Sequence, residues 1–79
     1  MFDEELTFFI ENQDDLVEKH LGKILVLKGK RVIGVHENVI DAFLKTKEAH
    51  QPGTFMLQPC LPGPDAYTVT IASAEVATF

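Results

Sequence analysis

The stretch Gln58-Pro59-Cys60-Leu61-Pro62-Gly63-Pro64-Asp65 places the only cysteine of the chain among three of its four prolines. A thiol in such a setting is either a nucleophile presented on a stiff loop or a small apolar side chain beside a turn. Nucleophilic chemistry needs a base about 3 Å from the sulfur and groups that stabilise a developing oxyanion. The bases on offer are His20, His36 and His50, which fall in separate expected elements or at their edges, and no local motif joins any of them to Cys60. A structural thiol is the leading expectation. A cysteine-dependent hydrolase or redox protein using Cys60 with His20, His36 or His50 is the alternative. Pro62-Gly63-Pro64 accounts for a constrained loop, because proline fixes φ and glycine supplies the rarer backbone angles, but it does not account for an activated thiol.

The other residues able to do chemistry form no recognised pattern. A structural zinc site takes four ligands at close spacing, which three dispersed histidines and one cysteine do not provide, so neither a metal nor a cofactor is expected. Glu4-Glu5 and Asp14-Asp15 are adjacent in sequence and point in different directions in regular structure, unlike a paired-carboxylate glycosidase site. Gly29, Gly34, Gly53 and Gly63 form neither a phosphate loop nor a dinucleotide fingerprint. The phenylalanines do not interleave with a basic platform of the kind that binds single-stranded nucleic acid.

The chain that must position these residues is 79 long, enough for one domain with a thin core. Its 46% hydrophobic and 24% charged composition is that of a globular protein. A net charge of −5 disfavours attraction to nucleic acid or acidic lipid, and no apolar run approaches a membrane span, so neither nucleic-acid nor membrane partners are expected. One cysteine permits no intrachain disulfide and no secretory signal pattern is visible, which suggests a soluble, cytoplasmic protein. Charge is uneven: residues 1–21 carry seven acids and one base, and residues 22–47 carry six bases and two acids. The bases Lys28, Lys30 and Arg31 fall at an expected hairpin tip, where solvation is their ordinary role.

Asn12 with Asp15 three residues on suggests the start of a helix of about two turns, with Leu16, Val17, His20 and Leu21 as its apolar flank and Gly22 as its stop. "KILVLKGKRVIGVHE" then reads as a hairpin turning at Lys28 to Lys30, in which neither strand alternates cleanly, so both faces should be at least partly covered. Gly34 marks a bulge or a close approach. Asn38 followed by Asp41 caps a second helix with Val39, Ile40, Phe43 and Leu44 as its apolar stripe, ended by Pro52-Gly53. "TFMLQP" and "YTVTIASAEVATF" complete the pattern as two strands, the latter placing Tyr67, Val69 and Ile71 on one side. The expected fold is therefore α+β, a single domain over 1–79 with a small antiparallel or mixed four-stranded sheet and two short helices. The order is α-β-β-α-β-β, with the helices gathered on one face.

The run "FIENQDDLVEKHLGKILVLKGKRVIGV", the Phe43 helix, Pro52-Gly53-Thr54-Phe55 and "QPCLPGPDAYTVTI" together resemble the DUF5678-type domains, an uncharacterised family of small bacterial proteins. The matching positions include Cys60, Tyr67, Thr68, Ser73, Val76 and Phe79, whereas the histidine and arginine typical of the last strand are replaced here by alanine and Glu75. The resemblance implies no activity, substrate or cofactor. The expected function is a noncatalytic protein-interaction or structural module that is homo-oligomeric or binds another protein. Tyr67, Val76 and Phe79 are its candidate interface residues. A small-molecule ligand is left open, and an acidic regulatory partner of a basic protein is a further alternative, resting on Glu4, Glu5, Glu11, Asp14, Asp15 and Glu18.

Overall fold

The computed structural model describes residues 2–64, 66 and 71–72. It begins with α1 (Asp3–His20) and the hairpin β1 (Ile24–Lys28) and β2 (Arg31–His36), then continues with α2 (Val39–Thr46) and β3 (Met56–Pro59). β1 is central, with β2 antiparallel on one side and β3 antiparallel on the other. The fold is thus a small α+β one with a three-stranded antiparallel sheet, β2-β1-β3, which corrects the expected four-stranded antiparallel or mixed sheet. Of the expected fourth strand the described residues contribute only Ile71–Ala72, which pair antiparallel with Leu57 and Met56. Two residues fall short of an ordinary strand of about three to ten. Tyr67, Val76 and Phe79 lie outside the described residues.

The helices do not share a face, a second correction. Leu25 and Leu27 point toward α1, where they meet Phe9 and Leu16, while Ile24 and Val26 point toward α2 and meet Ala42 and Phe43. Side chains alternate along a strand, so a central strand made only of Ile-Leu-Val-Leu offers an apolar row to each face, and one helix covers each. β3 divides likewise, with Met56 toward α1 and Leu57 toward α2.

Helix α1 is 18 residues long, not the two turns expected from a start at Asn12. Asp3, Glu4 and Glu5 fill its first turn, where negative charge is favourable, and no glycine or proline intervenes before Gly22. Asn12 lies inside the helix and donates its side-chain amide to Phe8 O, four residues back, so it caps nothing. Phe9 and Leu16, seven residues apart, fall on one face and become its buried anchors. The second helix starts as expected, with the Asn38 side chain accepting from Asp41 N–H at 2.8 Å. It stops at Thr46, well before Pro52, and Ile40 and Leu44 of the expected stripe are exposed.

The pairing of β1 with β2 slips by one residue: Val26 faces Gly34 and Leu27 faces Val32, leaving Ile33 as the extra residue of a bulge. The bulge keeps Val32 on the α1 face while turning Ile33 to the α2 face. Gly34, singled out in the sequence as a bulge or close approach, flanks the bulge and is a point of close approach. A Cβ there would lie 2.9 Å from His36 Nε2, so the His36 ring rests directly over the bare backbone.

Candidate functional site

Cys60 is fully buried against Phe9, Leu25, Leu27, Met56 and Ala66 on the α1 face. Burial pushes its thiol above the ordinary value, because apolar surroundings disfavour the thiolate. That is the opposite of an activated nucleophile, whose pKa is lowered by a nearby charge or helix terminus. His36 and His50 border α2 on the other side of the sheet. His20, half-buried at the last position of α1, makes no side-chain hydrogen bond among the described residues. The structure therefore does not bring the expected Cys60–His pair together.

The loop around Cys60 is held by two glutamines that the sequence reading left without a role. Gln13 on α1 donates to Leu61 O and Gly63 O, both at 2.9 Å. Buried Gln58 donates to Ala66 O at 2.9 Å and to Pro59 O at 3.0 Å. Backbone bonds close the base of the loop, with Cys60 N–H donating to Lys23 O and Gly22 N–H to Cys60 O. The cysteine loop is stiff because it is anchored at both ends, and the thiol faces inward.

The hairpin tip is docked at Gly29, while Lys30 and Arg31 are exposed there as expected. Gly29 takes φ +64°, the sign needed at the first position of a two-residue turn of this kind, and its N–H donates to Glu5 Oε2 at 2.6 Å. Glu5 is buried, one turn before Phe9 on the same helix face. Lys30 lines a groove with Asp3, Glu4 and Glu11, so the acids of α1 and the bases of the tip meet. Lys28, on the other side of the tip, reaches the α2 face and places Nζ 3.2 Å from His50 Nδ1. His50, an end-of-helix residue with no expected partner, is thus half-buried against a lysine.

A second concave feature, a cleft of about 400 Å³, lies between β2 and the end of α2. Ile33 and Gly34 form its floor, and His36, Lys45, Thr46 and His50 stand around it. Backbone geometry fixes this arrangement: after α2 ends, the N–H groups of Ala49 and His50 both donate to Thr46 O, a tight turn that swings His50 back over the sheet. Among the described residues no carboxylate lines the cleft. Among the described residues no group of three or more His, Cys, Asp or Glu side chains is arranged to hold a metal ion. No described helix is long and apolar enough to cross a membrane.

No family model, no curated protein and no solved structure matches this chain. The candidate site is accordingly defined by its own geometry.

Proposed function

We propose that the chain is a noncatalytic interaction module that associates with a second copy of itself through the outer edge of β2. The observation that supports this reading is the state of that edge. β2 pairs with β1 on one side, and no strand among the described residues pairs with its other side. Its central residues Val32-Ile33-Gly34-Val35 carry no charge and no proline, two of the usual devices that protect an edge from pairing, and the bulge at Ile33 is the one such device present. A two-fold antiparallel pairing about Gly34 would set Arg31 opposite Glu37 of the second copy at both ends, a favourable cross-strand charge pair.

A pairing of six-residue strands covers little area, so the association is expected to be weak, with Kd of about 100 μM, or roughly −5.5 kcal/mol. Sedimentation equilibrium across that concentration range should show mass rising toward the dimer. Val35→Lys, at an exposed edge position, should hold the protein monomeric without unfolding it. A wild-type protein that stays monomeric at millimolar concentration rules the proposal out. The cysteine-enzyme reading is not proposed, because Cys60 is withdrawn from solvent with its proton more firmly held. The acidic-partner reading is not proposed: Glu5 is buried on Gly29, and Glu4, Glu11, Asp14, Asp15 and Glu18 are exposed with nothing that points to a basic partner.

A further inference from the structure

We propose that the cleft between β2 and the end of α2 binds a small organic phosphate monoester, its dianion held by His36, His50 and Lys45 and its apolar body lying on Ile33 at Gly34. The site lies on the face of the sheet, whereas the proposed self-association uses the edge in the plane of the sheet, so either can fail without the other.

The argument from charge comes first. The protein carries a net charge of −5, yet this cleft gathers a lysine and two histidines with no carboxylate among its described lining residues. Three carboxylates are engaged outside the cleft: Glu37 is bonded to Lys23, Asp15 to Lys19, and Glu5 to the Gly29 backbone amide. Among the described residues Lys45 makes no ion pair and no carboxylate lines the cleft beside it, so its charge is open to an outside anion.

Second is the way the donors are held. Lys28 donates to His50 Nδ1, which leaves the His50 proton on Nε2 as a donor at a ring that lines the cleft. Lys28 is thus a positioning residue. The His36 ring lies over the bare backbone of Gly34, where a Cβ would come within 2.9 Å of Nε2. Three donors from the end of β2, from α2 and from the turn after α2 therefore surround one space.

Size narrows the ligand. At about 400 Å³ the cleft falls within the range of small-molecule sites, roughly 300–1,000 Å³, and exceeds what an inorganic anion fills. Its floor is the apolar side chain of Ile33 beside the open backbone of Gly34, a surface for a flat or short apolar group. Phosphate oxygens suit lysine and imidazole donors, which form charge-assisted hydrogen bonds with them.

The test uses phenyl phosphate as probe, followed by two-dimensional amide NMR of the full chain at neutral pH. Saturable shifts should centre on Gly34, His36, Lys45 and His50. Inorganic phosphate should bind about tenfold more weakly, because it leaves the floor uncovered. Lys45→Gln, at an exposed position that folding does not need, should weaken phenyl phosphate about fivefold, whereas Lys47→Gln, which removes the same charge outside the cleft, should change it less than about twofold. Gly34→Ala should weaken binding while shifting the His36 ring resonances. Non-saturating shifts overturn the proposal, as do equal losses from Lys45→Gln and Lys47→Gln. Equal affinity for phenyl and inorganic phosphate overturns the assignment to an organic ester.

Discussion

Glu5→Ala should destabilise the protein more than substitution of an exposed acid, because it removes the buried carboxylate that accepts from the hairpin turn. Glu5 is 9% exposed and accepts from Gly29 N–H at 2.6 Å. A hydrogen bond to a charged group contributes about 1.5–3 kcal/mol net, and an acid in the first helical turn adds about 0.3–1 kcal/mol. Alanine returns a few tenths through its higher helix propensity. The expected loss is therefore about 2–3 kcal/mol for Glu5→Ala and about 1 kcal/mol for Glu5→Gln, which keeps an acceptor and loses the charge. Urea unfolding at neutral pH reads this directly: with a slope of about 1 kcal/mol/M for a domain this small, the Glu5→Ala midpoint should fall by roughly 2 M. The same loss lowers Tm by roughly 10 °C or more. Amide exchange at Gly29 should accelerate in step. Glu4→Ala, one residue away and exposed, should stay within about 0.5 kcal/mol of wild type. A Glu5→Ala protein as stable as the Glu4→Ala control shows that the tip is not anchored through this carboxylate.

Three further outcomes follow from the structure. Cys60→Ser should cost about 1–3 kcal/mol by burying a hydroxyl among apolar neighbours, and more than Cys60→Ala; thermal melts of the two variants compare them, and a serine variant at wild-type stability contradicts a dry site. Raising the pH above the ordinary thiol value of 9.0 should erode stability, because the unfolded thiol ionises there while the folded one keeps its proton; the wild-type advantage over Cys60→Ala should shrink between about pH 8 and about pH 10, and a constant advantage contradicts the raised thiol pKa. Asn38→Ala should lower stability by about 1 kcal/mol through loss of the α2 cap, and chemical unfolding that shows no change places the cap bond outside the energetics of the fold.

What could be read from sequence were the features with short-range causes. Asn38 with Asp41 specified a helix start, Gly29 specified the hairpin turn, and the unbroken Ile24–Leu27 run specified a strand covered on both faces. What escaped depended on partners distant in the chain. The start of α1 was misplaced because Asn12 looks like a cap in isolation, although the acids at Asp3 to Glu5 and the Phe9 to Leu16 spacing carry the longer helix. Had the helix been begun at Asp3, Glu5 and Gln13 would have appeared on the buried side near Phe9 and Leu16, which is where their roles lie. The placement of the helices on opposite faces was implicit in the two apolar rows of β1 but was not drawn from them. His50 and Lys28, 22 residues apart, had no local signal at all.

The two-sided covering of a three-stranded sheet limits where function can reside. With α1 on one face and α2 on the other, β1 and β3 give their side chains almost wholly to the core, and Cys60 goes with them. Residues able to meet a partner are then confined to what the short α2 leaves open. Eight residues of helix, at about 1.5 Å per residue, cannot shield the full length of the sheet, so part of the β2 face stays open, and among the described residues no strand pairs with the outer edge of β2. Gly34 stands at the meeting of both. Its missing side chain admits the His36 ring over the strand, and its place beside the bulge turns Ile33 toward the same face. A residue that only packed the core would gain from a side chain at that point, since glycine in a strand interior is weakening. Its presence there is better accounted for by the space it leaves, and replacing it with alanine separates the two roles: a variant that folds and self-associates but loses the phosphate-dependent shifts assigns Gly34 to the cleft.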